Sequence, residues 1–349
     1  MDLHYSTISS HSQWQTLKEV WLGGVYPDSF FSHLSNKTQD IFGHINELTR
    51  KDFAHLKQTL ESLNVRVVEP EYTKVDDYLD KQERLQKPPV SPCDFALTLA
   101  DTLYIIPQYQ SGVDPYQHAI DAYRQNKQKV VIIDRDKDPM AWVEFPGIVK
   151  AGRDIIIDYD ATVMERVQNN KKIASKLSRD YRVHLSTTGD HQDGIFFPFK
   201  PGHIISSNYQ NKYTQSFPNW DIYFLKKEVK QWHGNIGAKW WLSNVDYAVY
   251  NDQVLEVSEK WLGNPIETVF DVNNLAVDEN TIIVSSLSDN TAKYLENLGV
   301  DAHVSDFKTK YYWDAGIHCC TSDIHRLGEC IDYWPDRGPE GIYRINEWT

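Results

Sequence analysis

The chain has 349 residues, with 36 Lys plus Arg against 49 Asp plus Glu, a formal charge of −13. This balance argues against a general nucleic-acid binder, which needs a basic face to neutralise phosphates. The 4 cysteines are too few for a disulfide framework, and no run approaches the roughly 18–20 apolar residues of a membrane span, so a reducing, cytoplasmic protein without a membrane partner is expected.

The opening residues, MDLHYSTISSHSQW, have neither a basic n-region nor an apolar h-region, so no signal peptide is expected. Further on, FAHLKQTLESLN has apolar residues at helical spacing and is followed by the β-branched run VRVVEP from Val65. DFALTLADTLYIIP reads as paired short strands around an Ala-Asp turn, then a helix in YQHAIDAYRQNK and a strand in KVVIID from Lys129. IVKAGRDIIID, VMERVQNNKKIASKLS and YRVHLS from Tyr181 repeat the order. DGIFFPFKPGHIISS leads to WDIYFL from Trp220, and NTAKYLENLG leads to VDAHVS from Val300. The unit is strand, strand, helix, strand, in about five copies at irregular spacing, which favours one repeat-built domain over residues 1–349. An ordinary doubly wound sheet would show longer strands and fewer hairpins. A ring of such units would gather residues scattered far apart in sequence around one central site.

Polar groups stand where a strand pattern calls for apolar ones: Asp94 in SPCDFALTL, Glu144 in VEFPGIVKAGRDI, His191 and Asp193 in GDHQDGIFF, and Cys319 in GIHCCTSD. If these segments are extended, alternate residues share a face. His191 and Asp193 then point together, while Cys319 faces away from His318 and Cys320. The cluster His318, Cys319, Cys320, His325 and Cys330 raises the question of a metal. It contains no C-x2-C spacing, and adjacent cysteines on a strand diverge, so no metal or other cofactor is expected. Two readings stay open beside a functional one: a solvated turn around GDHQDG, and a pair of buried structural thiols at 319 and 320. A thiol, a histidine and several carboxylates together suit nucleophilic attack on an electron-poor, positively charged carbon, and a guanidinium fits.

Six segments, in order from about Trp14 to Gly328, resemble the amidinotransferases of the guanidino-group-modifying enzymes. They are SQWQTLKEVWLG, SPCDFALTLADTLYIIP, KAGRDIIID, DYRVHLSTTGDHQDGIFFPFKPGHIISSN, SEKWLGN and GIHCCTSDIHRLG. The resemblance implies an α/β fold, a five-bladed propeller of ββαβ repeats. It implies Cys319 as nucleophile, with Cys320 in the place of a tryptophan, and His191 as the acid and base. Asp94 and Asp193 would clamp the guanidinium, and Glu144, where the family usually has Asp, would orient His191. The family's Pro-Arg-Asp reads Pro92-Cys93-Asp94 here. Gln210 stands where an arginine often grips a substrate carboxylate; of a substrate-binding serine pair Ser258 remains, and Glu259 replaces the other. The activity implied is transfer of an amidino group from arginine, releasing ornithine, to a primary amine. The partners are small molecules, and a homodimer is allowed. The alternatives are a hydrolase of the arginine deiminase type and a non-catalytic guanidino-compound binding protein.

Overall fold

The computed structural model describes residues 6–32, 36–72, 88–107, 113–134, 137–138, 140, 145–158, 164–186, 191–207, 213–225, 272–313 and 315–344. Their strands form five sheets with a common plan: two antiparallel strands, a helix, and a third strand parallel to the second. A parallel third strand cannot follow a tight turn, so each unit needs its helical crossover. In the first unit β1 (Thr16–Leu22) is followed by the helix Asn36–Ser62 and by β2 (Arg66–Val68), parallel to β1. The second has β3 (Ala96–Leu99), β4 (Thr102–Ile105), the helix Gln117–Gln125 and β5 (Lys129–Ile132). The third has β6 (Ile148–Ala151), β7 (Asp154–Asp158), the helix Met164–Leu177 and β8 (Arg182–Ser186).

The fourth unit has β9 (Phe196–Lys200), β10 (His203–Ser206), the short helix Tyr213–Ser216 and β11 (Asp221–Phe224). The fifth has β12 (Leu275–Asp278), β13 (Thr281–Val284), the helix Asp289–Asn297 and β14 (Asp301–Val304). The first unit's missing antiparallel strand comes from the far end of the chain: β15 (Thr321–Leu327) pairs with β1, Thr16 opposite Leu327 and Leu22 opposite Thr321. A last strand, β16 (Gly341–Arg344), adds parallel to the outer edge of β8.

Local chemistry explains these elements. The two-residue turn of the third hairpin puts Gly152 at φ 65°, and that of the fourth puts Gly202 at φ 87°, conformations that cost glycine little. At Gly152 a side chain would also collide with the carbonyl oxygen of Ile331. In the fifth hairpin Asp278 Oδ1 accepts the amide of Asn280 at 2.8 Å, tightening the turn through a side chain. The helix Asp289–Asn297 starts on Ser288, whose Oγ accepts the Thr291 amide at 3.2 Å.

Burial grades across each sheet. β3 and β6 are buried throughout, and β9 and β12 are buried but for their last residues, whereas β5, β11 and β14 are largely exposed or half-buried. β8, the third strand of its unit, is buried throughout because β16 covers its outer edge. The units touch in sequence. β15 meets β3, and the turn before β3 meets the turn before β6. That turn meets the one before β9, β9 meets β12, and β12 meets β1. Among the described residues no helix is long and apolar enough to cross a membrane.

Candidate active site

Short turns lead into the strands β3, β6, β9 and β15, and Asp94, Asp193 and Cys319, three of the polar residues singled out in the sequence, lie on them. A 3-10 turn, Pro92–Asp94, precedes β3; another, Phe145–Gly147, precedes β6; a third, Gln192–Gly194, precedes β9. Asn273 lies just ahead of β12, and the turn 317–320 lies just ahead of β15. Proline in the first turn suits Pro92–Asp94, where its fixed φ is already helical and its missing N–H is not needed. These geometries correct the extended reading of GDHQDG and IHCC. His191 directly precedes a turn, and His318 does not face away from Cys319, because neither segment is a strand at those residues.

Cys319 is the centre of the cluster and only 8% exposed. Its Sγ lies 3.4 Å from Asp193 Oδ2, to which the thiol donates. Asn273 holds the cysteine at both ends: its Oδ1 accepts the Cys319 amide at 3.0 Å, and its Nδ2 donates to Sγ at 3.1 Å. Gly316 makes room for this grip, since a Cβ there would stand 2.5 Å from Asn273 Oδ1. Cys93 Sγ donates to Asp94 Oδ1 at 3.6 Å and, from the neighbouring turn, lies within 4.8 Å of the Cys319 sulfur. His318 Nδ1 pairs with Asp193 Oδ2 at 2.9 Å. The second oxygen of Asp193, Oδ1, is buried and has no hydrogen-bond partner among the described residues, nor has either end of the buried Gln192 amide.

Charge and burial work against each other here. Burial alone would raise the Asp193 pKa, but the His318 hydrogen bond and the electrostatic influence of His318 and His191 outweigh it, so the carboxyl is held below its ordinary value. Burial, then the interaction with Cys319, pushes the Cys93 thiol well up. For Cys319 the interaction with Cys93 lowers the pKa, yet burial and the carboxylates of Asp193 and Asp94 outweigh it and raise the thiol above its ordinary value. Such a site favours a cation. Placed between the carboxylates, a cation would cancel the field that keeps the thiol protonated.

The structure thus brings Cys319 and Asp193 into contact and sets Asp94 and His191 close enough to act electrostatically on Cys319 and Asp193 respectively. Glu144, Gln210 and Ser258 lie outside the described residues. Cys320 is fully buried in the core cluster that also holds Leu22 and Phe307, and Cys330 is exposed, so the local cluster of cysteines and histidines in the sequence does not converge. Sequence reasoning missed Asn273, although VNNLAVDE sets it in the same place relative to its strand as Asp94 is to β3. It registered Cys93 as a missing arginine and not as a second thiol at the site.

No protein-family model matches the chain. It is 22% identical over 162 residues to the L-arginine:L-lysine amidinotransferase of Pseudomonas savastanoi pv. phaseolicola, a match over 45% of this chain that spans 37% of that protein's length. Among solved structures it is similar to SxtG, an amidinotransferase from Microseira wollei in the saxitoxin biosynthetic pathway. That likeness has a TM-score of 0.67 and 17% identity, over 94% of this chain and 100% of the other. It is also similar to the inosamine-phosphate amidinotransferase StrB1 of Streptomyces griseus, with a TM-score of 0.66 and 15% identity over 94% and 99%. The α/β fold is one that these amidinotransferases share.

Proposed function

We propose that this protein is an amidinotransferase that moves the amidino group of L-arginine to a primary amine through a covalent intermediate on Cys319. The observation that carries the reading is Asp193: a buried, ionised carboxylate that engages the thiol through one oxygen and keeps the other without a hydrogen-bond partner among the described residues. A guanidinium offers planar, paired N–H donors and a fixed positive charge, which match that free oxygen and Asp94. Its arrival neutralises the carboxylates that hold the thiol up, so the nucleophile ionises only with its substrate in place.

In the first half-reaction Cys319 Sγ bonds to the guanidinium carbon as its proton passes to His191. The carbon–nitrogen bond to the departing amine then breaks, and His191 returns the proton to that amine, releasing ornithine and leaving an amidino-thioether. In the second, His191 takes a proton from the incoming amine, the amine bonds to the amidino carbon, and the thiolate leaves. Asn273 Nδ2 is placed to hold Sγ whenever it carries charge. Glu144 is assigned to orienting His191 and Ser258 to binding the donor. Gln210, a neutral amide, points to acceptors without a carboxylate next to the amine. The five units touching in turn support a five-bladed propeller in a single catalytic domain, and the free cysteines suit the cytoplasm.

The test is incubation with L-arginine and a panel of amines (glycine, lysine, diamines, alkyl amines), read by mass spectrometry of the small molecules. Ornithine together with a new guanidino compound supports transfer. Citrulline alone would make the protein a hydrolase, and no turnover with retained arginine binding would make it a binding protein.

A further inference from the structure

Two thiols and a carboxylate meet at the site from three different units. The Sγ atoms of Cys93 and Cys319 and an oxygen of Asp193 lie within 4.8 Å of one another, and all three residues are buried. From this arrangement we infer that Cys93, Cys319 and Asp193 form a binding site for a soft divalent metal ion of the Zn2+ class, and that the ion blocks the cysteine when bound. The blocking half of the inference rests on the proposed role of Cys319; the binding half does not.

The donor set is what a thiophilic ion selects. Zn2+ takes thiolate sulfur at about 2.3 Å and carboxylate oxygen at about 2.0–2.2 Å, so two sulfurs on one tetrahedral ion stand ~3.8 Å apart. Separations of up to 4.8 Å need only a small closing movement. The two sulfurs come from turns that precede β3 and β15, elements already in contact, so the fold brings the ligands together before any ion arrives. Asp193 keeps one oxygen without a hydrogen-bond partner among the described residues, a ligand atom that costs no broken bond. Binding exchanges two thiol protons for the ion: both S–H bonds break, two metal–sulfur bonds form, and two protons leave to solvent. No electron is transferred. Three protein ligands leave one position for water, and the bound ion occupies the sulfur and the carboxylate that a guanidinium needs.

The sequence supplies the second thiol where the family it resembles has an arginine. Cys93 is the residue that interrupts the Pro-Arg-Asp pattern, and an arginine at that position would supply a cation where the metal needs a thiolate.

The experiment uses the full chain carrying Cys330→Ser, which removes the exposed thiol, kept reduced with a phosphine. Cd2+ is titrated while the ultraviolet thiolate-to-metal charge-transfer band is followed, and Zn2+ binding is measured by equilibrium dialysis. One equivalent with a two-thiolate band is expected. Cys93→Ser should halve the band and weaken Zn2+ binding at least ~100-fold, beyond the 10–100-fold typical of losing an outer partner. Cys93→Ala should do the same, provided circular dichroism shows the fold intact, and Cys320→Ala should change nothing. Absence of stoichiometric binding, or undiminished binding without Cys93, overturns the site. If the metal binds yet leaves turnover with arginine untouched, the blocking half fails. Cys93-dependent binding in a protein without transferase activity would support the site and count against the proposed function.

Discussion

Asp193 serves two partners through one oxygen, since Oδ2 accepts from both the Cys319 thiol and His318 while Oδ1 is left for a ligand. Removing its charge at nearly constant size isolates the electrostatic part of that role. Asp193→Asn is expected to lower kcat/KM for arginine by at least ~100-fold, a loss of about 2.7 kcal/mol of transition-state stabilisation. Unchanged kinetics in that variant would reduce the carboxylate to a packing group. Asn273 acts on the same sulfur from the opposite charge state, donating to Sγ at 3.1 Å. A hydrogen bond to a charged group contributes about 1.5–3 kcal/mol, so Asn273→Ala should slow turnover by ~10–100-fold. It should also move the pH midpoint of Cys319 alkylation by iodoacetamide further above the ordinary thiol range, where burial and the two aspartates already hold it. A merely structural asparagine would leave that midpoint where it is. Of these residues, Cys319 and Asp193 were legible in the sequence because polar groups break an apolar pattern there. Cys93 was not, because a cysteine before an aspartate reads as an ordinary small core residue until a partner is seen across the site.

The elements follow rules that can be tested by changing the sign of an effect. Gly152 and Ala100 occupy comparable hairpin turns at φ 65° and 48°. A left-handed conformation costs a residue with a Cβ about 1–2 kcal/mol, while glycine's extra entropy costs roughly 0.5–1. Gly152→Ala adds a clash with the Ile331 carbonyl and should destabilise by at least ~2 kcal/mol; Ala100→Gly should instead be stabilising by about 0.5–1 kcal/mol. Urea unfolding of the two variants checks the pair, and equal signs would show that the turns do not govern stability. Three hairpins and all five parallel third strands were readable from local patterning, since alternation, turn residues and helical spacing lie within short windows. The pairing of β15 with β1 was not, because its partners stand at opposite ends of the chain and no local signal links them. The turns at the site were read as extended because a single turn of 3-10 helix leaves no periodicity to detect.

Across the whole molecule one buried ion cluster joins the units. Lys150 on β6 donates to Asp323 Oδ2 on β15 at 2.7 Å, to Ser10 Oγ at 2.7 Å and to the Thr98 carbonyl on β3 at 3.2 Å. Arg326 reaches the same carboxylate at 2.9 Å and the Ala276 carbonyl on β12 at 2.9 Å. Four of the five units therefore depend on one carboxylate. Lys150→Met leaves Asp323 paired with Arg326 alone and removes a charge-assisted hydrogen bond, a contribution of about 1.5–3 kcal/mol that urea unfolding would read. Burial would raise the Asp323 pKa, but Lys150 and Arg326 override it and hold the group well below the carboxylate range. A depressed folded pKa means that the stability is present above the unfolded value near ~4 and lost as pH falls through the folded one. Asp323→Asn should therefore be less stable at neutral pH, with a flatter acid limb in denaturant titrations; an acid limb as steep as that of the parent would show that this carboxylate does not contribute to it.

The covalent role of Cys319 is the claim on which the functional reading stands, and rapid acid quenching of the enzyme with L-arginine followed by peptide mass spectrometry tests it most directly. The expected result is a mass increase of one amidino group on the peptide that contains Cys319, cleared by an acceptor amine and absent, along with turnover, in Cys319→Ser. Turnover that persists in Cys319→Ser, or an adduct on any other residue, would contradict it.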